Sequence, residues 1–146
     1  MTPTRRGPNV PLRQVARMRA LWPSMKHRLG PPHHRTVVWE GYLQPTPESP
    51  RYFIRVTYGP YTLPKVFVLS PKLRTDAPHV YPKDRSLCLY WPEEWRWSDG
   101  ESIADTIMGW AALWLYYYEV WTATGEWMGP ESPHATGTPK SPAVAA

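Results

Sequence analysis

Cysteine is almost absent from this chain of 146 residues, which carries one, Cys88. A single thiol excludes an intramolecular disulfide framework, and a reducing cytoplasm is the simplest compartment to expect. Phenylalanine is scarce as well, at two residues against nine Trp and nine Tyr. The aromatic content therefore comes with polar tips, which suits cores close to a surface and binding grooves. No apolar run is long and clean enough for a membrane span. The longest, Ile103 to Trp121, contains Asp105 and Glu119 and is interrupted by Gly109. Charges at that depth are costly in lipid, so the run reads as a buried helix. The N-terminus lacks the apolar stretch of a secretory signal and is rich in Arg and Pro. No Walker-type or GxGxxG loop is present, so the chain is not expected to activate carboxylates with ATP itself, and no cofactor is expected. His33, His34 and His79 show no paired ligand spacing with the lone cysteine, so no metal site is expected.

What remains describes one globular unit with polar ends. Hydrophobic residues make up 42% of the chain and charged residues 20%, enough for a modest core. Many of the prolines lie near the two ends. Residues 1–10 read as a flexible basic arm, 11–128 as the folded domain and 129–146 as a disordered tail. The formal charge is +5, and Arg5, Arg6, Arg13, Arg17, Arg19, Lys26 and Arg28 crowd the N-terminal part. These residues suit either a solvated helix face with a soluble arm or a surface that docks an acidic partner protein. They do not form one dense stripe, so nucleic acid is not the expected partner.

Along the chain, Pro11 suits the first turn of a helix, and Leu12, Val15, Ala16, Met18, Ala20 and Leu21 keep close to helical spacing. Gly30-Pro31-Pro32 breaks any helix. Three strand-like runs follow: Thr36 to Leu43, Arg51 to Tyr58 and Lys65 to Ser70. The short Pro- and Gly-containing turns between them predict an antiparallel meander. Pro71 to Trp97 is loop-rich and holds the only cysteine; loops of that length in a compact domain are usually functional or disordered. Ser98-Asp99-Gly100-Glu101 has the form of a capping box. It predicts a long helix from Ile103 to about Ala123, stopped by Gly125. The order is α+β, with a helix on an antiparallel sheet.

Several segments resemble those of ubiquitin-conjugating enzymes. Leu63-Pro64-Lys65-Val66-Phe67 is similar to the family's "PPKVxF" lead-in to a strand. His79-Val80-Tyr81 precedes Cys88 at nearly the spacing of the "HPN" motif from the active cysteine. Ser86-Leu87-Cys88-Leu89 resembles "G-x-I-C-L", and Trp95 or Trp97 stands where the family has a Trp before a helix. The bacterial ubiquitin-conjugating-like proteins of CBASS anti-phage operons are a nearer match. They carry segments similar to His79-Val80-Tyr81, Leu87-Cys88-Leu89-Tyr90 and Trp121 to Trp127, over roughly Val37 to His134. The resemblance implies a ubiquitin-conjugating-like fold: an antiparallel meander packed against a long C-terminal helix, with an N-terminal helix. Two departures stand out. Tyr81 occupies the position of the eukaryotic Asn that supports the transition state, and Asp84-Arg85-Ser86 replaces an Asn-Gly turn.

The resemblance also implies chemistry. Cys88 would hold an acyl group as a thioester until an amine displaces it, which requires an accessible sulfur, oxyanion support and deprotonation of the amine. Lys83 and Arg85 would favour thiolate if their charges face the sulfur; alternatively, a Cys between two Leu is an inert core residue. His79 either orients the loop through its backbone or acts as a base. Tyr81 either donates its hydroxyl to the oxyanion or the amine, or packs the loop. Asp99 or Asp84 would accept the amine proton, unless they merely cap and turn the chain. Trp91, Trp95 and Trp97 would wall the groove. The implied acyl donor is the C-terminus of a cGAS-like nucleotidyltransferase, whose cyclic-nucleotide synthesis the transfer would prime, and the acceptor is an amine on a protein. The chain looks like the stand-alone form of short CBASS operons. Two alternatives stay open: a non-catalytic scaffold of the same fold that binds the nucleotidyltransferase, and a conjugating enzyme for a bacterial ubiquitin-like protein.

Overall fold

The computed structural model describes residues 10–31, 34–60, 62–90, 93, 95–98 and 100–130. Helix α1 (Val10–Leu21) is followed by strands β1 (Lys26–Leu29), β2 (Val37–Leu43), β3 (Tyr52–Gly59) and β4 (Thr62–Ser70), and then by helix α2 (Ile107–Thr124). The strands form one antiparallel sheet in the order β1-β2-β3-β4. Of the residues expected to be an arm, Val10 opens α1 and the others lie outside the described residues, as do most of those expected to be a tail.

Period-two alternation fixes which sheet face is buried. Val37, Trp39 and Leu43 of β2, Tyr52, Ile54, Val56 and Tyr58 of β3, and Val66 of β4 all enter the core. They meet one face of α2, made by Ile107, Met108, Ala111, Trp114, Leu115 and Tyr118 at helical spacing. Glu119 adds a polar tie, accepting hydrogen bonds from the Tyr52 hydroxyl at 2.8 Å and the Ser49 hydroxyl at 2.9 Å.

Strand β1 is absent from the sequence reading. Its Lys-His-Arg-Leu run is mostly exposed and shows no apolar alternation. It becomes a strand by pairing with β2, from Lys26 opposite Glu40 to Leu29 opposite Val37. Gly41 allows the approach: a Cβ there would stand 2.8 Å from both the Met25 sulfur and the Ser24 carbonyl oxygen.

The long helix starts one turn later than expected, at Ile107. Ser98 and Glu101 form a simple turn, with the Glu101 N–H donating to the Ser98 carbonyl at 3.0 Å. Ile103 and Ala104 are buried, but α1 holds their backbone in turns. The Gln14 carboxamide accepts from the Ile103 N–H at 2.9 Å and donates to the Glu101 carbonyl at 2.8 Å. The Trp22 indole N–H donates to the Ala104 carbonyl at 2.9 Å. Arg17 grips Asp105 at 2.7 and 2.9 Å, and that bond lowers the Asp105 carboxyl to about 2. At the other end Gly125 takes a left-handed φ of 83° and returns its N–H to the Trp121 carbonyl.

Candidate active site

The cysteine sits on a short hairpin rather than an open loop. The Leu87 N–H donates to the Val66 carbonyl at 3.0 Å, which fastens one arm to β4. Val80 and Leu87 form a bridge, the Tyr81 N–H reaches the Ser86 carbonyl at 2.8 Å, and the Arg85 N–H reaches the Tyr81 carbonyl at 2.8 Å. The Cys88 N–H donates to the His79 carbonyl at 2.9 Å. That carbonyl also accepts the Trp114 indole N–H at 3.1 Å, so one oxygen ties the cysteine's strand to α2. His79 is buried with a left-handed φ of 59°, and its ring packs 4.8 Å from Trp127. Such strain persists only where surrounding contacts over-determine it. Further upstream, the Arg74 N–H donates to the Tyr118 hydroxyl at 2.9 Å, and the Arg74 guanidinium covers Trp121.

Asp84-Arg85-Ser86 solves the turn without glycine. Arg85 takes a left-handed φ of 67°. Asp84 accepts from the Ser86 N–H at 3.0 Å, the Ser86 hydroxyl at 2.7 Å and the Lys65 ammonium at 2.7 Å. Those donors, Lys65 foremost, hold its carboxyl well below the usual range. A carboxylate so stabilised is a weak proton acceptor. Its geometry is that of a turn-holding residue. Asp99, the other acid considered, lies outside the described residues, as does Trp91.

Cys88 is half-buried. Burial pushes its thiol up to about 11, the Tyr81 hydroxyl bonded to it pulls the other way, and the nearby Asp84 charge adds to the rise. This corrects the expectation that Lys83 and Arg85 favour thiolate. The Arg85 guanidinium is spent on the Arg74 carbonyl at 3.1 Å, and the charge that the sulfur feels from this turn is negative. The Tyr81 phenol is itself raised, by burial first and then by its polar neighbours.

A cavity of about 140 Å³ opens beside Cys88 and Leu89, walled by Trp110, Leu113, Trp114, Tyr117, Trp127 and Pro130. The Trp127 indole N–H holds that outer turn by donating to the Pro130 carbonyl at 3.2 Å. The walls are therefore mostly α2 side chains, where the sequence reading placed loop tryptophans. Trp95 and Trp97 do not line this cavity. Trp95 packs edge-on against Tyr90 at 4.8 Å and Trp110 at 4.9 Å, and Trp97 against Tyr58 at 5.6 Å. Trp110, Leu113, Trp114 and Tyr117 stand at helical spacing on one face of α2.

On the other side of the hairpin a second cavity, of about 340 Å³, is lined by Leu63, Pro64, Lys65, Tyr81, Lys83, Asp84, Ser86, Leu87, Leu89 and Tyr90. The cysteine strand thus runs between two hollows. Among the described residues no three His, Cys, Asp or Glu side chains come together to hold a metal, and no helix is long and apolar enough to cross a membrane.

A family model for E2-CBASS, the Type II CBASS E2 proteins, matches residues 14–135. The chain belongs to that family. No curated protein matches it. As a CBASS E2 protein it has an E2-like fold, with the N-terminal helix, the four-stranded antiparallel sheet and the C-terminal helix described above. The matched span contains the hairpin, both cavities and all of α2.

Proposed function

We propose that this CBASS E2 protein is a cysteine-dependent acyl transferase, with residues 11–128 as the working unit. Cys88 takes the C-terminal acyl group of a cGAS-like nucleotidyltransferase as a thioester and passes it to a protein amine, priming cyclic-nucleotide synthesis. The observation that carries this reading is the half-buried Cys88 lining an aromatic cavity, its thiol hydrogen-bonded to Tyr81. The cavity offers a channel for the donor's last residues. His79 positions the sulfur through its backbone carbonyl, and the Tyr81 phenol is the donor nearest the reacting atoms. Sulfur suits the step because it is both a strong nucleophile and a good leaving group. The lone cysteine fits a reducing cytoplasm.

The raised thiol favours a second reading, a scaffold of the same fold that binds the nucleotidyltransferase without chemistry. Co-expression with a cGAS-like nucleotidyltransferase separates the two. The transferase reading expects a covalent adduct and primed cyclic-nucleotide output, both lost in Cys88→Ala. Output unchanged in Cys88→Ala, with no adduct in either protein, supports the scaffold. An adduct formed only with a bacterial ubiquitin-like protein redirects the chemistry to that cargo.

A further inference from the structure

The cavity beside Cys88 has a definite size and chemistry. Among the described residues none of its walls is charged. The polar tips of two walls are already taken, the Trp114 indole N–H by the His79 carbonyl at 3.1 Å and the Trp127 indole N–H by the Pro130 carbonyl at 3.2 Å. Water there finds few partners, whereas an apolar group gains by leaving solvent. The outer wall is held in place. The Trp127 ring packs 5.5 Å from Trp114, 6.0 Å from Tyr117 and 4.8 Å from His79. Gly129 lets the same turn press against Tyr117, where a Cβ would stand 2.5 Å from the ring. The hollow measures about 140 Å³. Apolar cavities of about 150 Å³ take a benzene-sized guest, so the side chains that fit are those of Leu, Ile, Met or Phe.

We propose that this cavity is a subsite for one apolar side chain among the last three residues of the acyl donor, and that it selects the donor by size and hydrophobicity. This rests on the thioester reading above. Cys88 lines the cavity, so the donor residue joined to it starts at the wall. From Trp110 to Tyr117 the helix face spans about 10 Å, the length of about three extended residues. A side chain further from the carboxyl end starts past the wall. Leu or Phe within that reach buries its surface against the aromatic rings. Asp or Ser gives up hydration there and meets no charged partner. Selection therefore works against polar donors as well as for apolar ones.

The test supplies the full-length protein with fluorescent peptides presented as mercaptoethanesulfonate thioesters. Each of the last three positions is Ser, Asp, Leu or Phe in turn. Cys88 exchanges with the probe: one C–S bond forms, another breaks, and mercaptoethanesulfonate leaves with the thiol proton. Reductant-labile label on the protein gives the rate, divided by the rate of the same peptide with N-acetylcysteine to remove intrinsic reactivity. Expected at one position is a rate about tenfold or more higher for Leu or Phe than for Ser, and lowest for Asp. Toluene, as a guest of the cavity, erodes that ratio, and so does Leu113→Trp, which narrows the hollow. Labile label that forms at similar rates for Ser, Asp, Leu and Phe at every position overturns the proposal and leaves the thioester reading intact. So does a preference that neither toluene nor a folded Leu113→Trp protein changes. A wild-type protein that acquires no labile label from any peptide removes the thioester reading, and this inference with it.

Discussion

The Tyr81 hydroxyl hydrogen-bonds the Cys88 thiol across the hairpin that carries both residues. Of the influences on that sulfur, this bond is the one that lowers its pKa against the larger effect of burial. With the thiol near 11, alkylation of Cys88 by iodoacetamide rises about tenfold per pH unit between neutrality and pH 10, because only thiolate reacts. Tyr81→Phe removes the opposing bond, raises the thiol further and slows alkylation at fixed pH by about threefold to tenfold. The pH–rate profile checks both points. An unchanged profile in Tyr81→Phe would mean that the phenol does not tune the sulfur.

Asp84 gives the hairpin an acid-sensitive hinge. Its carboxyl is held below the ordinary value, chiefly by Lys65 and then by Ser86. A lowered pKa contributes stability that is present above the usual carboxylate range and is lost as pH falls through the folded value. Asp84→Asn is expected to cost about 1–2 kcal/mol near pH 7, since the pair is partly solvated and its ionic share is screened. The difference from wild type starts to shrink below the unfolded carboxylate value of about 3.9 and is smaller at pH 3 than at pH 7. Urea unfolding at the two pH values measures it.

Gln14 is the polar pin between α1 and the turns before α2. Truncation in Gln14→Ala frees the buried Ile103 N–H and the Glu101 carbonyl together. An orphaned buried donor costs about 1–3 kcal/mol, so the urea midpoint should fall by a matching amount with little change in slope. Cys88 alkylation should change little, because the hairpin is anchored on β4 and Trp114 instead.

How much of this could be read from the sequence follows from where each residue's contacts lie. Strands β2, β3 and β4 announce themselves because Val, Ile, Trp and Tyr alternate with residues that face outward. Strand β1 does not, since Lys26, Arg28 and Leu29 remain exposed and the strand exists only through its partner's hydrogen bonds. Ile103 and Ala104 continue the apolar pattern of α2, so the pattern runs into the turns; only Gln14 and Trp22, far away in sequence, reveal that the backbone there is not helical. The cysteine and its hairpin partners were legible as motif fragments. The charge balance at the sulfur was not, because it depends on Arg85 turning to the Arg74 carbonyl and on Asp84 turning inward to Ser86. The aromatic wall lay hidden in a helix whose every face is apolar, so spacing alone did not single out which face meets Cys88.

The most direct test of the central claim is intact mass spectrometry of the protein co-expressed with the proposed donor, a cGAS-like nucleotidyltransferase, comparing wild type, Cys88→Ser and Cys88→Ala. The account predicts a donor adduct on the wild-type protein that reductant releases. Cys88→Ser should carry the same added mass as an ester that resists reductant, and Cys88→Ala should carry none. A wild-type protein that stays unmodified beside an active nucleotidyltransferase, or an adduct of equal abundance in Cys88→Ala, contradicts it.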